Sequence, residues 1–409
     1  MRWITFFLAF GCLLAPVNSQ DCKDRVLLDA TQRVFNVGLD SSGRWWALSH
    51  PFENLVGLTI DGVPYGPYEV VLPPKISFDG SMFVAGVRML GQWSVLTEDD
   101  TISLNGDVLQ ETYFPSMSAT PWWLQSNGND RRLSTYDRSY RCVNEPRMVS
   151  LDPQGLVVAW VERRGNVAVL FVSGKEQVTA DDITLGGVWA DGLPLFAVRF
   201  GMAWSVYHGQ DEIASSLASL TELRINPSAT VCSWTASDGT GGVRIYVYTT
   251  EMNAPWTSMP LQAAAGLIIS PFDALSAARV TRNGNTSVIF GGAEFPAGLQ
   301  SGPFVFSHTG EFMAFAGLED RYFVTVNGKR QWIRSAINLD TPLSVNSDGS
   351  AVAWASATTI AYVKLEPNVL RLGKMCDTMG PVIYDRRSKT FKGLGFVSGR
   401  LFLLECDPR

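Results

Sequence analysis

The 409-residue chain has only three histidines, His50, His208 and His308, and six cysteines. So few imidazoles leave little material for a histidine-based triad or a histidine-rich metal centre. There is no His-Glu-x-x-His, no Cys-x-x-Cys and no twelve-residue calcium loop, so no spaced metal-binding motif is present. No Gly-x-Ser-x-Gly elbow occurs, which leaves an α/β-hydrolase without support. Charged residues make up 18% of the chain, below the ~25% of average soluble proteins. The net charge is −6 with no basic stripe, which argues against nucleic-acid binding. Beyond the N-terminus no apolar run is long enough to read as a membrane span.

The first residues read as a secretory signal. Arg2 is followed by an apolar stretch from Ile4 to Ala15, then by small residues up to Ser19. The stretch is too short to span a bilayer and fits a cleaved leader. The expected organisation is a signal peptide over 1–19 and one domain over 20–409, in a secreted or periplasmic protein. Loss of Cys12 leaves 6 − 1 = 5 cysteines. Export permits disulfides, and an odd number leaves at least one thiol unpaired within the chain.

What the chain has in plenty is Gly (37) and Trp (13), and they recur in a pattern. From residue 43 onward a unit repeats about every 37 to 39 residues. Each unit opens with a turn ending in a small residue. The clear anchors are Gly43, Gly80, Gly155, Gly310 and Gly349; weaker ones fall near Ser118, Leu193, Ala229, Ala274 and Gly399. Four residues past the anchor stands a small side chain (Ala47, Ala159, Ser233, Ala314, Ala353), and one further a large one (Leu48, Trp160, Trp234, Phe315, Trp354). The apolar run 156–161 reads as an inner strand covered on both faces, the second strand of its unit. A further apolar run follows, as at 55–60 and 167–172, then a turn such as Asp61-Gly62 or Ser173-Gly174. Within the remaining residues, 183–185 and 187–190 read as two short strands. Four short strands per unit predict an all-β propeller of about eight to ten blades.

The ends fit the same frame. Residues 399–405 read as a second strand and 25–33 as a third, so one blade is shared by the two termini. This places Cys22 opposite Cys406 and predicts a disulfide between them, worth about 4–5 kcal/mol in the chain-entropy model and less where the blades already hold the ends together. Cys232 reads as a buried free thiol; the pairing of Cys142 and Cys376 stays open.

The units resemble the repeat of TolB-like propeller proteins, related to the WD-type repeat. The matching pieces are Ser77-Phe-Asp-Gly80, Asp152-Pro-Gln-Gly155 with Ala159-Trp160, Ser307-His-Thr-Gly310 with Ala314-Phe315, and Ser347-Asp-Gly349 with Ala353-Trp354. The middle units lack the Asp-Gly turn, and no WD dipeptide recurs. The resemblance implies a protein-binding platform and carries over no catalytic residue.

Candidate binding residues lie in the turns between second and third strands, which share a face with the blade-to-blade connections. These are Asp130, Arg131 and Arg132; Arg163 and Arg164; Asp238; and Glu319, Asp320 and Arg321. Loops on a rigid scaffold carry function, and arginine is enriched at hot spots. Trp256, after Pro255, is the candidate exposed aromatic, whereas the pairs Trp45-Trp46 and Trp122-Trp123 alternate across a strand and read as core. The expected function is a scaffold that binds a protein or peptide, with no cofactor and no metal. An enzyme with a site at the channel mouth, acting on a carbohydrate or ester, is the alternative and requires paired carboxylates. A structural surface protein is the third reading.

Overall fold

The computed structural model describes residues 22–239, 241–366 and 369–409. The expected signal segment lies outside the described residues. Ten antiparallel sheets lie along the chain; in nine the strands come from one continuous stretch, and the tenth combines an N-terminal strand with three C-terminal ones. They form the ten blades of a β-propeller, the upper end of the sequence expectation. Blade 1 comprises Val34–Leu39, Trp45–Phe52, Leu55–Ile60 and Val63–Tyr68, here termed strands a to d from the channel outward. Blades 2 to 9 span 70–103, 108–142, 147–180, 182–217, 219–257, 263–296, 300–333 and 344–372. Strands a of successive blades touch one another along the channel, as 147–151 touches 182–188 and 182–188 touches 219–225.

Blade 10 is built from both ends of the chain. Strands Thr378–Asp385, Thr390–Val397 and Arg400–Cys406 come from the C-terminal end, and Cys22–Leu28 pairs alongside as the outermost strand. Each terminal strand therefore sits one place further out than its sequence reading. The reason is local: Ser398-Gly399 is the b–c turn, and the a–b turn is Arg386–Lys389, which has no glycine to mark it. The hairpin itself is as expected. Cys22 lies opposite Cys406 and is bonded to it, closing a span of 384 residues. Cys142, Cys232 and Cys376 are free and buried, which settles the open pairing. Residues 182–188 form one strand with a bulge after Leu185, not two.

The second strands carry the core. Ala159, Ser233, Ala314 and Ala353 are fully buried, as are Trp160, Trp234, Phe315 and Trp354. Trp160 packs back on blade 3 among Trp122, Leu124 and Leu133, and Ala159 faces Phe196 and Val198 of blade 5. Burial of a side chain this large contributes on the order of 3 kcal/mol. Blade 1 departs from this register. Ala47 faces back on Leu394 and Leu401 of blade 10, and Leu48 faces forward on Phe83 of blade 2. Its a–b turn is one residue shorter: Asp40 N bonds to Arg44 O, whereas in blade 4 Asp152 N bonds to Val157 O. A one-residue shift moves every side chain of a strand to the other face. Trp45 and Trp46 point to opposite neighbours, as alternation requires.

The anchor glycines have two roles at once. Gly155 has φ of +73°, and a Cβ there would come 2.6 Å from Pro115 Cγ of blade 3. The turn conformation and the neighbour's approach both favour a residue with no side chain.

Candidate interaction face

Antiparallel order sends the a–b and c–d turns to one end of the ring, and the b–c turns and blade-to-blade connections to the other. The two ends differ in chemistry.

At the a–b end, polar residues opening several of the turns are used to build them. Asp152 Oδ1 accepts from Val157 N at 2.6 Å, Asn226 Oδ1 from Thr230 N at 2.9 Å and Asn346 Oδ1 from Ala351 N at 2.9 Å. Ser77 and Ser307 accept in the same way from Met82 N and Phe312 N. Asp385 is buried and accepts from Lys392 Nζ at 2.6 Å, Ser388 Oγ at 2.7 Å and Arg387 N at 2.9 Å. Burial pushes this carboxyl up, but those hydrogen bonds outweigh it and hold it below the ordinary range. Asp40 goes the other way: burial raises it despite bonds from Ser42 and Arg44. Among the described residues, no group of three His, Cys, Asp or Glu side chains is placed to hold a metal ion.

Contacts at this end also cross the ring. Ser116 Oγ of blade 3 donates to Pro227 O of blade 6 at 2.5 Å. Beneath it lies a channel lobe of about 320 Å³, lined by Tyr113, Ser150, Val188 and Asn226 among others. Phe78 of blade 2, Phe272 of blade 7 and His308 of blade 8 meet in the middle, with ring centroids 6.5 Å and 5.9 Å from His308. Ten radial sheets spread their inner strands more widely than the usual four to eight, and these side chains occupy the space.

The three histidines are far apart in role. His308 belongs to the cross-ring cluster. His208 closes its own blade, with Nε2 3.0 Å from Asp191 Oδ2 and its ring 4.8 Å from Trp189. His50 is exposed and stacks on Phe35 at 4.5 Å.

The b–c end holds the charged turns singled out from sequence, mostly as local ion pairs. Asp130 binds Arg132 at 2.8 Å and Arg141 at 2.9 Å. Arg131 is half-buried beside it. Arg163 donates to Asp181 O at 2.9 Å, and Arg164 binds Glu176 at 2.8 Å while lying over Phe171. Asp238 accepts from Arg244 at 3.2 Å, and Glu319 from Arg330 at 2.7 Å. Asp320 and Arg321 stand exposed, 3.9 Å apart. Trp256 is not with this group. It lies at the start of a two-residue strand d in blade 6, at the opposite end, in an apolar groove of about 240 Å³ with Val247, Met252 and Leu275.

The sequence reading missed the apolar side chains between these charges. Met202 (91% exposed), Leu90 (83%) and Leu299 (83%) are the most exposed large apolar residues among those described. All three sit on b–c turns or blade connections at the same end. Phe52, Phe200, Met259 and Met375 are exposed there too. Leu90 also has φ of +50° in the two-residue turn Leu90-Gly91. Such a turn favours Asn-Gly or Asp-Gly, and this chain uses Asn283-Gly284 and Asn327-Gly328 at comparable hairpins. A leucine where asparagine belongs was the readable signal.

No protein-family model and no curated protein matches the chain. Similar solved structures include a eukaryotic initiation factor, at 6% identity and TM-score 0.49, covering 77% of this chain and 91% of that one. Another is an oligogalacturonate lyase in complex with manganese, at 10% identity and TM-score 0.41, covering 93% of this chain and 99% of that one. At these values neither bears on function, and the assignment of the propeller rests on the chain's own sheet order.

Proposed function

We propose that the protein is a propeller scaffold that binds a protein or peptide through its b–c face, in a secreted or periplasmic setting. The observation that carries this reading is Leu90. A branched apolar side chain in the left-handed region costs roughly 1–2 kcal/mol, and here it gains no burial in return. Strain of this kind persists where it serves a function. Exposed apolar tips beside polar and charged residues have the make-up of an interface with aromatic or aliphatic anchors and a polar rim. The Cys22–Cys406 bond is in keeping with an oxidising compartment.

The test is Leu90→Asn. The variant is expected to be more stable by about 0.5–1 kcal/mol, because asparagine tolerates this turn. It is expected to bind the native partner, isolated from extracellular or periplasmic extract, at least tenfold more weakly. A variant that is more stable and binds equally well contradicts the assignment of Leu90 to the interface.

A further inference from the structure

Arg386 makes a contact that ordinary blade packing does not require. It projects from the a–b turn of blade 10. Its Nη1 lies 3.0 Å from Nε2 and 3.3 Å from Nδ1 of His308 in blade 8, so the guanidinium faces the imidazole ring. Its Nη2 donates to Phe78 O of blade 2 at 3.0 Å, and it stacks over the Phe78 ring at 4.7 Å. Arg387 beside it donates to Asp79 O at 2.5 Å. Phe272 of blade 7 meets the edge of His308. Four turns from four blades, two of them on opposite sides of a ten-membered ring, are thus fastened through one arginine and one histidine. Blades 2 and 8 are also the two whose innermost strand is broken in the middle, at Leu72-Pro73-Pro74 and at Gly302-Pro303-Phe304. Proline cannot donate to the ladder.

We infer that Arg386 and His308 form a pH-sensitive latch, which holds the a–b mouth of the channel bridged while His308 is neutral and releases it when His308 takes up a proton. The neutral ring presents its electron-rich face to Arg386; the imidazolium is itself a cation and repels the guanidinium. Other charges on the same turns are engaged elsewhere. Asp79 is held by Ser77 and Ser81, Asp348 by Ser350, and Asp385 by Lys392. Arg387 is held on Asp79 O, and the charged neighbour acting on the imidazole is Arg386. Burial, and then Arg386, hold the imidazole below its ordinary value. The sign follows: a site that resists protonation when latched is driven open as pH falls below the free-histidine value of about 6.5.

The experiment is hydrogen exchange at pH 7.5 and 5.5, corrected for the chemical rate, on the intact chain and on His308→Gln. In the unmodified protein the turns at 77–82, 270–275, 307–312 and 385–390 are expected to lose at least fivefold protection at the lower pH. Strand Tyr322–Val326 of blade 8 serves as the unaffected control. His308→Gln is expected to show the same protection at both pH values. Equal protection of the unmodified turns at both pH values overturns the latch, as does an equal loss in His308→Gln. A histidine NMR titration of the unmodified protein gives an independent reading. His308 is expected to titrate below the free-histidine value of about 6.5, and titration at or above that value overturns the proposal.

Discussion

Arg386 Nη1 reaches 3.0 Å from His308 Nε2 across 78 residues of sequence and two blade positions. The turn that carries the arginine is built on Asp385, buried at the end of its strand and bonded to Lys392, Ser388 and Arg387 N. Asp385→Asn leaves the Lys392 ammonium without its counter-charge. It is expected to destabilise by about 3–5 kcal/mol, measured by urea unfolding, and to loosen the 385–390 turn in hydrogen exchange.

The pH profile of stability is expected to have two limbs. His308 sits below its ordinary value, so its contribution is full above about pH 6.5 and declines as pH falls. Asp79, Asp348 and Asp385 also sit below theirs, so their contribution is full above about pH 4 and is lost as the pH falls through the folded values. Thermal unfolding from pH 8 to pH 3 should show a shallow loss and then a steep one. His308→Gln should remove only the shallow limb.

Cys22 and Cys406 close the ring by joining two outer strands of blade 10. Replacing both by serine is expected to cost about 2–5 kcal/mol. Calorimetry under non-reducing conditions checks this. Thiol labelling supplies a second readout. Burial pushes the Cys142 thiol up to about 12 and raises Cys232 and Cys376 as well. All three should label only after unfolding.

Trp160 is fully buried, stacks on Phe171 at 5.2 Å and donates to buried Glu162 at 2.8 Å. Glu162 in turn accepts from Val143 N and Asn144 N, pinning the connection from blade 3 to blade 4. Trp160→Ala is expected to cost about 3–5 kcal/mol and to weaken that connection. Urea unfolding and hydrogen exchange at 143–146 report the two effects.

The propeller was legible in the chain because a blade is a local object. Its turn residues, its small-then-large pair and its two apolar runs all fall within one repeat. Legibility failed where a single residue decided the outcome. The a–b turn of blade 1 is one residue short, which reversed the faces of Ala47 and Leu48. Blade 10 has Arg386–Lys389 where blades 1, 2, 4, 8 and 9 have an anchor glycine, and Gly399 marks its b–c turn instead, so its strands were assigned one place too far in. The latch could not be read at all. Nothing in the neighbourhood of His308 or Arg386 announces a partner, and only closing ten blades into a ring brings them together. The proposed interaction face was half legible: charge marked the b–c turns, whereas Leu90 before Gly91 went unread because a lone leucine in a turn has no periodic signature.

The most direct test of the binding face places a photo-crosslinking residue at Met202, at the b–c end, and separately at Leu193, exposed at the a–b end of the same blade. Irradiation in the presence of the partner-containing extract is expected to give a discrete adduct from position 202 alone, abolished by excess unlabelled protein. An adduct from position 193 with none from 202 would contradict the assignment and move the partner to the latched end of the ring.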